Sequence, residues 1–72
     1  MQKVVEQIES LILLDYEITF KKSDDIPGFD IILKNKSKDK SHDTEKCTLP
    51  YSHLNEHKIS KYITHLFVNL GR

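Results

Sequence analysis

Residues 16–34 read YEITFKKSDDIPGFDIILK and hold two runs in which apolar and polar residues alternate. A period of two is typical of a strand with one buried face. The Pro27–Gly28 pair between the runs suits the two central positions of a type II turn. The stretch therefore predicts an antiparallel β-hairpin. Its inward-facing residues are predicted to be Tyr16, Ile18, Phe20, Phe29, Ile31 and Leu33.

A third strand is predicted after the hairpin, from about Thr44 to Leu49. The alternation points Cys47 and Leu49 towards the same interior. Pro50 can end this strand because proline has no amide hydrogen to donate to a neighbouring strand.

Helical spacing of apolar residues marks both ends of the chain. The first stripe predicts a helix that ends near Leu14. The second predicts a helix with Ser52 as its N-cap that runs to about Leu70, with Gly71 just past its end. The stripes consist of Val4, Val5, Ile8, Leu11 and Ile12 in the first helix, and Ile59, Tyr62, Ile63, Leu66, Phe67 and Leu70 in the second.

The order helix, strand, strand, strand, helix predicts one α+β domain over residues 1–72. We expect an α-β-β-β-α two-layer sandwich, in which a three-stranded antiparallel sheet carries both helices on one face. All apolar sides of the chain are expected to close a single interior, with no room for a pocket. A core this small predicts marginal stability.

The opposite face of the sheet is left open by this arrangement. The segment NKSKDKSHD, residues 35–43, contains no apolar residue and predicts a mobile hairpin loop rich in lysine. We expect a partner to bind this face or this loop. The predicted partner-binding residues are Glu17, Thr19, Lys21, Asp30, Ile32, Lys34, Lys36, Lys38, Lys40, Lys46 and Thr48.

Charge and cysteine content limit the environment of the chain. Eleven basic and eleven acidic residues balance, but residues 1–33 are net acidic and residues 34–72 are net basic. The single cysteine cannot form an internal disulfide, and no secretory signal or apolar run of about 20 residues is seen. The chain is therefore expected to lie in the cytoplasm and not in a membrane.

Two groups of residues contain side chains that can bind a metal ion or react. His53 to His57 fit H-x-x-E-H, the zinc-binding pattern of inverted zinc proteases, but no Asp or Glu follows Glu56 as a third ligand. A structural site could combine these histidines with His42 and Cys47, yet Cys47 is predicted to face the core. The same inward position disfavours it as a nucleophile. We predict no catalytic, cofactor-binding or metal-binding residue and no enzymatic activity.

Weak nucleic-acid binding by the lysine-rich loop is the alternative function. The predicted element order matches that of the double-stranded RNA-binding domain. That family carries a basic cluster at the start of its second helix and a histidine in its first hairpin loop. Here the helix begins SHLNEHKISK and the loop reads SDDIPGFD, so neither feature is present.

The segments VVEQIESLILL, YEITFKK, FDIILKN, EKCTLP and HLNEHKISKYITHLFVNL, within residues 4–70, follow each other in an order that resembles a known class of small proteins. The chain is similar in organisation to phage and prophage accessory proteins, among them certain anti-CRISPR inhibitors. The resemblance implies a non-enzymatic protein that occupies the surface of a host protein. A homodimer formed through a strand edge is a competing expectation.

Overall fold

The structure is a computed structural model that describes residues 2–37 and 43–71. Within these residues two helices and three strands follow one another in the predicted order, which confirms the α+β class. The elements are α1 (Gln2–Leu13), β1 (Tyr16–Lys22), β2 (Gly28–Asn35), β3 (Thr44–Pro50), a 3-10 helix (Tyr51–His53) and α2 (Glu56–Leu70).

The three strands form one antiparallel sheet in the order β1-β2-β3. Phe20 lies opposite Ile31, and Ile31 lies opposite Cys47, so the inward residues form rows across the sheet. Asn35 ends β2, where its N–H donates to the carbonyl of Asp43 at 2.8 Å. This bond closes the second hairpin at the end of β2, where the alternation of apolar and polar residues also ends.

Both helices pack on the same face of the sheet. Ile31, Leu33 and Leu49 of the strands are fully buried in one core with residues of both helices. Each large side chain buried in this way contributes roughly 1.5 to 3 kcal/mol. The complete core consists of Val4, Leu11, Ile31, Leu33, Leu49, Ile59, Ile63, Leu66 and Leu70.

A glutamine on α1 connects the two helices. The Gln7 side-chain amide donates to the Ser60 carbonyl at 3.2 Å and to the Thr64 hydroxyl at 2.7 Å. α1 lies against β1 and α2 lies against β3 and β2. The helices therefore sit side by side, with α1 over the edge strand β1.

The first hairpin turn differs from the predicted type II turn, which requires a positive φ that no glycine of the chain adopts. Gly28 is instead the first residue of β2 and pairs with Pro50. Ser23 organises the turn: its hydroxyl accepts from the N–H groups of Asp25 and Ile26, and its own N–H donates to the Gly28 carbonyl at 3.1 Å.

We predict that Gly28→Ala lowers the free energy of unfolding by about 1 to 3 kcal/mol. A Cβ at this position would meet the backbone carbonyl of Leu49 and lie 2.9 Å from Cα of Pro50. Backbone atoms in a paired strand cannot move aside easily. Chemical denaturation measures the effect. Gly71→Ala is the control, because its Cβ would lie at an ordinary 3.5 Å from the Phe67 carbonyl. An equal loss in both variants would contradict the prediction.

The N-cap of α2 is Asn55, and the prediction of Ser52 was wrong. Ser52 lies inside the 3-10 helix, which ends at an extended Leu54. The Asn55 side-chain oxygen accepts from the backbone N–H of Lys58 at 2.9 Å. Serine and asparagine are both good N-caps, so local preference did not separate the two positions.

Asn55→Ala should lower the free energy of unfolding by about 1 kcal/mol, since an N–H at the start of α2 loses its acceptor. Ser52→Ala should change it by less than about 0.5 kcal/mol, because Ser52 is exposed and caps nothing in α2. Thermal unfolding followed by circular dichroism compares the two variants. The reverse order of stabilities would restore Ser52 as the cap.

Candidate functional site: the open face of the sheet

Eight of the predicted partner-binding residues share the sheet face that the helices leave uncovered. We call this surface the polar sheet face. In the strand register Glu17 lies opposite Lys34, and Lys21 lies opposite Asp30. Opposite charges at such cross-strand positions are favourable by roughly 0.2 to 1 kcal/mol. The polar sheet face comprises Glu17, Thr19, Lys21, Asp30, Ile32, Lys34, Lys46 and Thr48.

Ile32 occupies the centre of the polar sheet face. It lies between Thr19 on β1 and Lys46 on β3 and is half-buried between them. Its position on the middle strand surrounds it with polar and charged side chains on both sides. An apolar centre with a polar rim is the usual anatomy of a protein interface.

Asp30 is buried, with 6% of its surface exposed, although we predicted an open position. It lies on the middle strand between Lys21 and Thr48. The Thr48 hydroxyl donates to its carboxylate at 2.7 Å, which satisfies an oxygen that burial would otherwise leave unpaired. Asp30 therefore holds the Thr48 side chain in place at this end of the polar sheet face. Asp30 itself offers little surface to a partner.

The lysines predicted to bind a partner from the second hairpin are only partly described. Lys34, Lys36 and Lys46 are exposed. Lys38 and Lys40 lie outside the described residues. The prediction of a mobile loop also falls mainly on residues outside the described ranges. Lys34 and Lys46 belong to the polar sheet face, where Glu17 lies opposite Lys34, so this end of the face carries charges of both signs.

The H-x-x-E-H pattern does not lie on one helical turn. His53 ends the 3-10 helix, whereas His57 lies in the first turn of α2. Leu54 and Asn55 separate them and are both extended. In residues 2–37 and 43–71 no group of three or more His, Cys, Asp or Glu side chains is arranged to hold a metal ion.

Cys47 is half-buried and packs against the core beneath α2. Burial raises the pKa of its thiol to about 11, and the nearby carboxylate of Asp30 adds to the increase. The thiol is therefore protonated at neutral pH. Since the thiolate is the nucleophile, this position is poor for covalent catalysis.

At pH 8 the alkylation of Cys47 by iodoacetamide should be about 100-fold slower in the folded protein than in denaturant, because a pKa difference of two units changes the thiolate fraction by that factor. In the folded protein the rate should rise about tenfold per pH unit until the pH approaches 11. Mass spectrometry of quenched samples gives both rates. Equal rates in the two states would contradict the raised pKa.

Several apolar side chains remain outside the core, so the expectation that all apolar sides close one interior was wrong. Val5 and Ile12 of α1 are 50% and 58% exposed, and Phe20 of β1 is 43% exposed. They are exposed because α1 sits over the edge of the sheet and has no neighbour on its outer side among the described elements. A groove of about 400 Å³ opens here, lined by Val4, Val5, Ile8, Phe20, Phe29, Leu54 and Ile59.

Comparison with protein-family models, with curated proteins and with solved structures found no match. In the part of the chain that the structure describes, neither helix combines the length and apolar character that crossing a bilayer requires.

Proposed function

We propose that the protein is a non-enzymatic binding module that contacts another protein through its polar sheet face. The observation that carries this proposal is the placement of both helices on one side of the sheet, which leaves the other side open. At the centre of that open side lies Ile32, with charges of both signs around it. A surface of this composition can bury its centre and keep its rim solvated.

A host protein is the partner class that we propose, in line with the resemblance to phage and prophage inhibitors. Glu17 and the lysines of the rim would orient such a partner by charge, while Ile32 would lose contact with water. Inhibition by this route needs no reacting group. The raised pKa of Cys47 is in keeping with a protein that works by occupying a surface.

Affinity purification from a nuclease-treated lysate of the host tests the proposal. The tagged chain should retain a protein partner in stoichiometric amount. Ile32→Thr should weaken its capture at least about tenfold, because the substitution keeps a β-branched strand residue but removes the apolar centre. Capture is quantified against the salt concentration of the wash.

Val5→Thr is the matched control. It also makes a β-branched apolar residue polar, at a half-exposed position on α1 that lies outside the polar sheet face. It should leave capture unchanged, and circular dichroism should show that both variants are folded. Undiminished capture by the Ile32→Thr variant would overturn the proposal. Capture that occurs only in a lysate without nuclease treatment would also overturn it, and would favour nucleic-acid binding by the lysine-rich loop.

A further inference from the structure

The outward side of α1 is acidic and carries an exposed leucine. At roughly 100° per residue, Glu6, Glu9 and Leu13 lie opposite the buried Val4 and Leu11. Glu6 and Glu9 are exposed, and Leu13 is 86% exposed. A leucine this open, beside two carboxylates, is not explained by the packing of the monomer.

The outward side of α2 has the opposite character. His57, Lys61, His65 and Val68 lie away from the core, and α2 contains no acidic residue beyond Glu56. Val68 is 47% exposed. A cleft of about 670 Å³ follows this side of the helix, lined by Lys3, Cys47, His57, Ser60, Lys61, Tyr62, Thr64, His65 and Val68. The helix layer therefore carries the negative charges of Glu6 and Glu9 on the outward side of α1 and the positive charge of Lys61 on the outward side of α2.

The two helices run in the same direction, and their contacts show which residues of α1 lie beside which residues of α2 along the helix axes. Lys3, near the start of α1, lies close to the Glu56 carboxylate at the start of α2, and further along α1 the Gln7 side chain donates to Ser60 and Thr64. Gln7 therefore lies at the same height along the helix axes as the midpoint between Ser60 and Thr64. Because both helices rise about 1.5 Å per residue, Glu6 is level with Lys61 and Leu13 is level with Val68.

We infer that the helix layer is a self-association surface, on which a second copy of this chain places its α1 over α2 and its α2 over α1. A two-fold axis parallel to the helices preserves their level. Glu6 then faces Lys61 of the second copy, and Leu13 faces Val68 of the second copy. Each pair occurs twice in the dimer.

Charge selects this arrangement over the other face-to-face dimer. A two-fold axis across the helices would place α1 on α1 and bring Glu6 and Glu9 close to their own copies. Like charges brought together in an interface are costly, whereas the parallel axis places each acidic helix on a basic one. The observed charges therefore fit one of the two symmetries.

The contact surface is formed by two helices of 12 and 15 residues that lie side by side, about 18 and 22 Å long. This is a small contact surface, and small interfaces are typical of weak association. The dimer is therefore expected to form at high protein concentration. The polar sheet face lies on the opposite side and stays open in the dimer, so this inference goes beyond the proposed function and does not compete with it.

Sedimentation equilibrium of the full chain, from about 1 µM to about 1 mM, measures the dimer. Glu6→Lys and Lys61→Glu should each weaken dimerisation at least about tenfold, since each removes two charge pairs and creates two repulsive contacts. The double variant Glu6→Lys with Lys61→Glu restores opposite charges and should return to within about threefold of the native affinity.

Lys46→Glu, the same reversal on the polar sheet face, is the control and should leave the dimer unchanged. All substituted positions are exposed, and circular dichroism verifies folding. A chain that stays monomeric over this range, a double variant that is not restored, or equal weakening by Lys46→Glu would overturn the inference. None of these results bears on capture of a partner by the polar sheet face, so the two proposals fail separately.

Discussion

The middle strand is the element on which the rest of the structure depends. Ile31 and Leu33 of β2 have no exposed surface, because strands cover β2 on both sides and helices cover it from above. In a domain of this size, two such residues form a large fraction of a small core. Both helices pack on the same face of the sheet because Ile31 and Leu33 point towards that face and form one core with residues of α1 and α2.

One-sided coverage of the sheet determines which side chains of the strands reach solvent. The thiol of Cys47 lies on the face of the sheet that the helices cover. The nearby carboxylate of Asp30 lies on the opposite face, where it is buried and accepts a hydrogen bond from the Thr48 hydroxyl. The negative charge of the Asp30 carboxylate disfavours the Cys47 thiolate, so it adds to burial in raising the pKa of this thiol. The outward surface consists of the polar sheet face on one side and two helices of opposite net charge on the other.

The sequence allowed the elements and the fold class to be predicted, because alternation and helical stripes are local patterns. The features that were missed depend on tertiary position. Asn55 replaces Ser52 as the cap because the N–H of Tyr51 donates to the Pro27 carbonyl and a 3-10 helix follows. The burial of Asp30 depends on its neighbours in the register. The exposure of Ile12 depends on where α1 sits over the sheet, which its own periodicity does not determine.

The meander topology has a kinetic consequence. Each strand pairs with the next strand along the chain, so both hairpins form from contacts at short sequence separation. Chains dominated by such contacts cross a lower entropic barrier and fold rapidly. Gln7 and Ser60, in contrast, are 53 positions apart. We therefore expect the sheet to be assembled before α2 docks beside α1, and the two ends of the chain to open first when the native state fluctuates.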